Sequence, residues 1–281
     1  MQIEVANQRI LLLKDQLSRE QAKDIAWQKK LGAFNTLAKV TSFLSKPKDE
    51  DFALTYSEHR YEPFWHVIST ARYEYTRTTN YQVPSSGKEV KTVTLHDTKY
   101  DVMNGHIHVP VLEYCLQEER DEKVLDGITG KDAPKMQQYL TMTPTEITGQ
   151  LKDEVDADAI LIPPQARISA IMRDSLSKMI TGIQADTIIE EKVEVSRVDL
   201  YYRPVYAFKY FWTSKQKEAI IEIDGLTGEF RAGSRVFTEY LGKALDQSFL
   251  FDIGADAVGI FVPGGSIAVK AAKKYIDGRA K

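Results

Sequence analysis

Apolar positions recur at two different spacings along the chain, and the spacing changes from segment to segment. In residues 164–183 they recur every three or four positions, which places them on one side of an α-helix. This stripe consists of Ile168, Ile171, Met172, Leu176, Met179, Ile180 and Ile183. Pro163 and Pro164 precede it and suit the first positions of a helix. The pattern predicts a helix over about residues 164–182.

An earlier helix is indicated by a capping signal. Ser18 and Gln21 have the spacing of a capping box, so we expect a helix that starts near Arg19. Its apolar side contains Ala22, Ile25, Ala26 and Leu31. Two further helical stretches are predicted, FNTLAKVTSFL after Gly32 and SIAVKAAKKYI near the end of the chain.

Between these helices the residues are typical of strands. Aromatic and β-branched side chains dominate several short runs, and polar or Asp-Gly turns separate them. The runs are FALTY, PFWHVIS, RYEYTRT, EVKTVTLHD, GHIHVPVLEYCL, KVEVSRVDL, YYRPVYAFKYFW and AIIEID. Helices followed by antiparallel strands predict an α+β protein. Pro204 also predicts that YYRPVYAF is an edge strand, because proline cannot donate to a ladder.

Three short segments occur twice, in the same order. YEPFW (61–65) matches YRPVY (202–206), VLDGITG (124–130) matches EIDGLTG (222–228), and VDADAI (155–160) matches IGADAV (253–258). The last two matches keep one spacing of 98 residues without a gap. Repeats of this kind indicate duplication. We therefore predict two duplicated helix-plus-antiparallel-sheet units, residues 1–162 and 163–281.

The first unit is the longer of the two. Its extra residues fall between the Tyr-x-Pro segment and the Asp-Gly turn, and they predict an inserted β-hairpin region at about residues 80–122. Additions to a scaffold often carry function, so this insertion is one candidate location for a binding site.

The segment PVYAFKYFWTSKQKEAIIEIDGLTGEF resembles the PepSY-like group of small α+β domains. In that group a strand with Pro-x-Tyr leads through a polar hairpin to an aliphatic strand that ends in Asp-x-x-Thr-Gly. The matching residues are Pro204, Tyr206, Asp224, Thr227 and Gly228, in a stretch of about 45 residues per copy. The resemblance implies tandem domains with a helix on a small antiparallel sheet, and a role in binding or inhibition rather than catalysis.

The aromatic residues of the two Tyr-x-Pro strands permit two interpretations. Alternate residues of a strand share a face, so Tyr202, Tyr206, Phe208, Tyr210 and Trp212 share one. This face could pack under a helix, or it could form an aromatic platform for a peptide, a sugar or a single-stranded nucleic acid. The candidate partner-binding residues are Tyr61, Trp65, Tyr202, Tyr206, Tyr210 and Trp212.

Histidine placement raises a metal hypothesis. All five histidines lie between residues 59 and 108, and His106 and His108 would share one face of a strand. His-x-His is a spacing found in zinc sites. His96, on a preceding strand expected to pair with GHIH, and Cys115 could complete the site. Solvent-exposed histidines in a polar hairpin, with Cys115 as a small core residue, are the alternative.

Composition limits the classes of function. The chain has 281 residues, 43% hydrophobic and 27% charged, with net charge −3 and no strongly basic block, whereas nucleic-acid binding usually needs one. A single cysteine and the lack of an apolar run of signal or membrane-span length indicate a cytoplasmic protein without a membrane span.

Together these patterns predict a non-enzymatic module, because no nucleophile motif, P-loop or dinucleotide-binding glycine pattern occurs. A protein or peptide partner would bind through the aromatic strands or a sheet edge, and the same edge would allow homo-oligomers. Two alternatives remain. One is a zinc-binding protein or metal-dependent hydrolase that uses His96, His106 and His108, and the other is a single-stranded nucleic-acid binder.

Overall fold

The computed structural model describes residues 1–34 and 47–233, and the backbone of residues 269–271. These residues form a mixed ten-stranded sheet, a separate two-stranded hairpin and two α-helices. The helices are α1 (Arg19–Ala33) and α2 (Ile168–Met179). The strands are β1 (Gln2–Val5), β2 (Arg9–Leu12), β3 (Phe52–Pro84), β4 (Thr92–Leu95), β5 (Thr98–Asp101), β6 (His106–Asp126), β7 (Thr145–Glu146), β8 (Ile160–Leu161), β9 (Thr187–Trp212), β10 (Lys217–Asp224), β11 (Phe230–Ala232) and β12 (Val269–Ala271).

The predicted fold class, two duplicated helix-plus-sheet α+β units, is wrong. The protein is mostly sheet, and its strands join into one mixed sheet rather than two separate ones. The physical reason is the length of β3 and β9, which have 33 and 26 residues and pair antiparallel from Phe52↔Trp212 to Thr76↔Thr187. The boundary between residues 162 and 163 stays a prediction.

The two Tyr-x-Pro segments meet at the middle of this long pairing. Tyr61 lies opposite Pro204, and Pro63 lies opposite Tyr202. The register is the same when the two segments are exchanged, so an approximate two-fold axis passes between them. These two segments thus occupy matching positions in one sheet, whereas IGADAV (253–258) of the third repeat lies outside the described residues.

Both prolines lie in central strands, so the edge-strand prediction for YYRPVYAF is wrong. β9 pairs with β3 on one side and with β2 and β10 on the other. On that second side Pro204 lies between the end of the β2 pairing and the start of the β10 pairing, and its carbonyl accepts from Gly225 N at 3.0 Å. Pro63 has the same relation to Gly127 N at 3.0 Å. Proline has no N–H to donate. At both prolines an N–H would point into the gap between two partner strands, so the sheet loses no ladder hydrogen bond.

The two Asp-Gly turns have the same hydrogen bonds. Asp126 Oδ1 accepts from the backbone of Ile128 and Thr129, and Asp224 Oδ1 accepts from Leu226 and Thr227. These are the Asx-type turns that Asp-Gly predicts.

The two helices confirm their sequence signals. Ser18 caps α1, and the Ser18 Oγ bond to Gln21 N and the Gln21 side-chain bond to Ser18 N together make the capping box. In α2 the buried side chains include Ile168, Ile171, Met172, Leu176 and Met179, as the stripe predicts. The predicted helix FNTLAKVTSFL lies almost wholly outside the described residues. Of SIAVKAAKKYI, only residues 269–271 are described, and they form strand β12 beside β1 instead of a helix.

Each helix covers a different half of the sheet. α1 packs with the C-terminal half of β9 and with β10, in a cluster that includes Ala22, Ala26, Phe208, Trp212 and Ile221. α2 packs with β3, β6 and the N-terminal half of β9 in a second cluster. Helix α1 therefore packs on a hairpin that comes much later in the chain.

Beyond α2 the sheet extends as an arm. Residues 70–84 of β3 and 106–120 of β6 pair throughout, while β9 accompanies them only as far as Thr76. Most of the predicted insertion, residues 80–122, lies in this arm and its tip. At the tip β4 pairs with β5 across a turn in which His96 and Asp97 have positive φ angles of 46° and 63°. This two-residue turn replaces the predicted pairing of the His96 strand with GHIH.

Candidate functional site

The six aromatic residues predicted to bind a partner are in the core. Each is at most 4% exposed: Tyr61, Trp65, Tyr202, Tyr206, Tyr210 and Trp212. The first three belong to the cluster under α2, and the last three belong to the cluster under α1. For the YYRPVYAFKYFW strand the interpretation as a face packed under a helix is confirmed. Within the described residues these rings form no exposed platform, although Tyr61 and Tyr206 line the base of a cavity.

The four predicted metal ligands lie along the arm. His96 is in the β4–β5 turn, His106 and His108 begin β6, and Cys115 is a free, half-buried cysteine farther along β6. His106 Nδ1 lies 3.0 Å from the carbonyl oxygen of Asn104. Within the described ranges, no three His, Cys, Asp or Glu side chains form a group that could hold a metal ion. Zinc binding stays a prediction.

A buried ion-pair network lies at the approximate two-fold axis. Arg203 contacts Glu62 at 2.5 Å and Asp224 at 2.6 Å, and Arg60 contacts Glu62 at 2.8 Å. Burial raises the pKa of the Glu62 carboxyl, but the charges of Arg203 and Arg60 lower that pKa more strongly, so it ends below its ordinary value. Tyr139 donates a hydrogen bond to Asp224. These side chains are all buried in the sheet, and within the described residues Arg203 Nε has no hydrogen-bond partner.

The most exposed part of the sheet is strand β6. Its 21 residues pair with β3 on one side, and no strand among the described residues pairs with its other side. Exposed residues alternate with half-buried ones from His108 to Glu122, as in a strand with one face in water. Such an unpaired edge presents free N–H and C=O groups to a partner strand.

An apolar row follows this open edge. Leu112, Tyr114 and Leu116 are 51%, 79% and 57% exposed, and they occupy one face because they alternate along the strand. Their cross-strand neighbours on β3 are polar, Thr78 opposite Leu112 and Thr76 opposite Tyr114. The row therefore has no apolar neighbour on the β3 side, and its remaining side faces the open edge.

Charged side chains surround the row without covering it. On the same face, Arg72 contacts Glu190 at 2.8 Å and also pairs with Glu118. On the opposite face, Glu113 accepts hydrogen bonds from Arg77 at 2.6 Å and Tyr81 at 2.7 Å. The Arg77 bond, followed by that of Tyr81, holds the pKa of Glu113 below its ordinary value. Glu113 is thus a satisfied anion, and the apolar row lacks a partner within the described chain.

Sequence reasoning found the hairpin but not this row. The available signal was the period-two alternation in HVPVLEYCLQEE, which places Leu112, Tyr114 and Leu116 on the same face as Glu118. An apolar residue at these positions looks like core from sequence alone. Only the strand order shows that no element of the described ranges covers that face.

Comparison of the chain with protein-family models, with curated proteins and with solved structures finds no match in any of the three. The resemblance to PepSY-like domains therefore stays a prediction. Neither α1 nor α2, nor any other helix in the described ranges, has the length and apolar character needed to cross a membrane.

Proposed function

We propose that this protein is a non-enzymatic binding and assembly module, and that the open edge of β6 pairs with β6 of a second copy. The observation that supports this is the long one-sided strand with the exposed row Leu112, Tyr114 and Leu116 beside its free edge. Strand addition of this kind combines main-chain hydrogen bonds with side-chain contacts on alternate residues.

The sequence of the row favours a second copy as the partner. Leu-x-Tyr-x-Leu reads the same in both directions, so an antiparallel pairing centred on Tyr114 places Leu112 of each copy opposite Leu116 of the other. A two-fold dimer requires such a self-complementary surface. The same register places Glu113 opposite Cys115, so no like charges oppose each other.

Other registers are less favourable. A pairing centred on Arg120 would place Glu118 opposite Glu122 and Glu119 opposite Asp121. Like charges directly opposite in a sheet are destabilising. Pro110 has no N–H to donate, so it ends a regular ladder on the outer side of the row. The favoured contact is therefore short, at about residues 111–117, and is typical of a reversible assembly.

The single cysteine is a free thiol, which suits the reducing cytoplasm, and we propose that compartment for the assembly. Because Cys115 lies within the contact, its reduced state also matters for the experiment.

Disulfide trapping tests both the partner and the register. In a Cys115→Ser background, Tyr114→Cys places one new cysteine opposite its own copy, so mild oxidation gives a covalent dimer. Leu112→Cys alone faces Leu116 of the partner and stays uncrosslinked, whereas Leu112→Cys with Leu116→Cys crosslinks. Sedimentation of the unmodified protein should show a concentration-dependent dimer.

Tyr114→Lys should abolish that dimer because it places two ammonium groups opposite each other. Ile189→Lys is the matched control, since Ile189 is 56% exposed but lies on β9, away from the open edge. A protein that stays monomeric at high concentration, or a dimer that is indifferent to Tyr114→Lys, would contradict the proposal.

A further inference from the structure

A cavity of about 750 Å³ lies where the loop before α1 meets β3 and β9. Residues 14–20 form one wall, residues 153–156 form another, and His59, Tyr61 and Tyr206 form its base. A volume of this size holds a small molecule. The cavity is separate from the open edge of β6.

Asp15 organises the base of the cavity. Tyr61 donates a hydrogen bond to Asp15 Oδ2 at 2.6 Å, and Tyr206 donates to Oδ1 at 2.7 Å. Burial raises the pKa of Asp15, but the close contact with His59 and the hydrogen bonds from Tyr61 and Tyr206 lower that pKa more strongly, so the net shift is downward. Asp15 is therefore a carboxylate whose position is held by two phenols.

His59 is left with an unsatisfied ring nitrogen. Its side chain is 1% exposed and stacks on Tyr206 with ring centroids 4.5 Å apart. Nε2 lies 2.9 Å from Asp15 Oδ1, Nδ1 lies 3.6 Å from Asp156 Oδ2, and neither nitrogen completes a hydrogen bond within the described residues. A neutral imidazole has one N–H, and the nearer Asp15 draws it to Nε2. Nδ1 and the Asp156 carboxylate, whose side chain is 74% exposed, are then two acceptors that face each other, and no described residue supplies a donor between them.

The sheet contains an apolar counterpart of the His59–Tyr206 pair. Across the approximate two-fold axis, the cross-strand pair Leu200 and Trp65 corresponds to His59 and Tyr206. Trp65 Nε1 donates to the Ala166 carbonyl at 3.0 Å, as the Tyr206 hydroxyl donates to the Leu17 carbonyl at 3.1 Å.

At the matching positions the histidine is thus replaced by a buried leucine, and the sheet forms in the same way. Burying a histidine whose nitrogen lacks a partner costs free energy that the leucine version avoids. The polar version is therefore not needed for folding, which points to a ligand.

The charges around the cavity define the ligand class. Five carboxylates line it (Asp15, Glu20, Asp153, Glu154 and Asp156), against the basic side chains of Lys14 and Arg19. Arg19 is already paired with Asp158 at 2.6 Å. We propose that the cavity binds a small organic cation with N–H donors, a primary amine, whose ammonium group donates to both His59 Nδ1 and Asp156.

The proposal is tested with two matched probes, 1,5-diaminopentane and its bis-trimethylammonium analogue. Both carry the same charge on the same chain, but only the first has N–H donors. Titration calorimetry and the NMR signals of the His59 ring report binding. We expect saturable binding of the diamine, a shift of the His59 signals, and at least about tenfold weaker binding of the quaternary analogue, which follows from loss of a hydrogen bond to a charged group.

Two variants locate the site. His59→Leu copies the residue that occupies position 200 and should fold, and it should weaken diamine binding by about tenfold or more. Asp156→Asn should do the same. Asp174→Asn is the control, because Asp174 lines a different cavity.

Three results would overturn the proposal: no saturable binding of the diamine, equal binding of the two probes, or full binding by a folded His59→Leu variant. The first would show that the space between His59 Nδ1 and Asp156 is not a site for an amine.

Discussion

Glu62 and Arg203 lie directly opposite each other in β3 and β9, with Arg203 Nη2 2.5 Å from Glu62 Oε2. The two residues hold corresponding positions in the Tyr-x-Pro segments, so the approximate two-fold axis maps each onto the other. An exchange of identical residues would place two like charges together at this point. The two segments instead carry opposite charges at this position, Glu62 in one and Arg203 in the other. The resulting ion pair joins the segments across the axis.

Removal of Arg203 should therefore destabilise the protein strongly. Arg203→Met leaves Glu62 and Asp224 buried without that partner, and breaking a buried pair costs about 3–5 kcal/mol. Urea unfolding measures the loss. Adding Glu62→Gln and Asp224→Asn should recover part of it, because no uncompensated charge then remains. The idea fails if Arg203→Met is no more damaging than Arg72→Met, which removes an exposed cation.

The two turn glycines should respond differently to alanine. A Cβ on Gly127 would lie 2.6 Å from the Pro63 carbonyl oxygen, whereas one on Gly225 would meet Pro204 Cβ at 2.9 Å and the carbonyl oxygen at 3.2 Å. Backbone cannot give way easily, so Gly127→Ala should cost more than Gly225→Ala, each within about 1–3 kcal/mol. Gly149→Ala has open space around it and serves as the control. Thermal unfolding ranks the three, and a reversed order for Gly127 and Gly225 would be incompatible with this packing.

Alkaline pH should unfold the protein through its buried tyrosines. Burial, with the Asp224 hydrogen bond, raises the pKa of Tyr139 to about 12, and burial raises that of Tyr210 to about 12. In the unfolded chain a tyrosine has a pKa of about 10. The folded state keeps these protons longer, so their stabilising contribution is complete below about pH 10 and is lost between about pH 10 and 12.

Tyrosinate absorbance and circular dichroism measured on one sample check this order. The late-titrating tyrosines should ionise together with the loss of structure. Tyr139→Phe should remove part of the alkaline sensitivity. If these tyrosines all titrated at about pH 10 while the protein stayed folded, their side chains could not be buried as the structure has them.

Acid pH should act on Asp15 in the opposite sense. Its folded-state pKa is depressed, so the stability it contributes is present above about pH 4 and falls as pH drops through the folded value. Asp15→Asn removes this contribution. The stability difference between wild type and variant, from urea unfolding, should be largest near neutral pH and shrink on acidification. A difference that is constant with pH would show that the carboxylate charge is irrelevant.

Local signals in the sequence located α1, α2 and the Asp-Gly turns, but not the sheet. The Ser18–Gln21 capping box and the Asp126 and Asp224 turns depend on contacts within a few residues, and the structure has them. The strands FALTY, PFWHVIS and RYEYTRT are instead parts of one strand, β3. Their apparent breaks come from changes in which faces are buried, and those changes depend on strands far away in the chain.

The cavity was out of reach of sequence reasoning for the same reason. Asp15, His59, Asp156 and Tyr206 come from four distant segments, and each alone looks like an ordinary loop or strand residue. His96, His106 and His108 indicate a metal site because they lie close together in the sequence. The buried histidine that carries the stronger inference has no local motif.

Helix α1 has a consequence for how the protein is made. It leaves the ribosome long before the strands it covers, the last part of β9 and β10. Until then Ala22 and Ala26 lack most of the surface on which they pack, which includes Phe208, Tyr210 and Ile221. Many chains fold domain by domain, starting from the N-terminal domain, while they are being synthesised. This protein cannot do so, because α1 packs on strands that are made much later. The nascent chain must therefore keep this face of α1 available until β10 has been made.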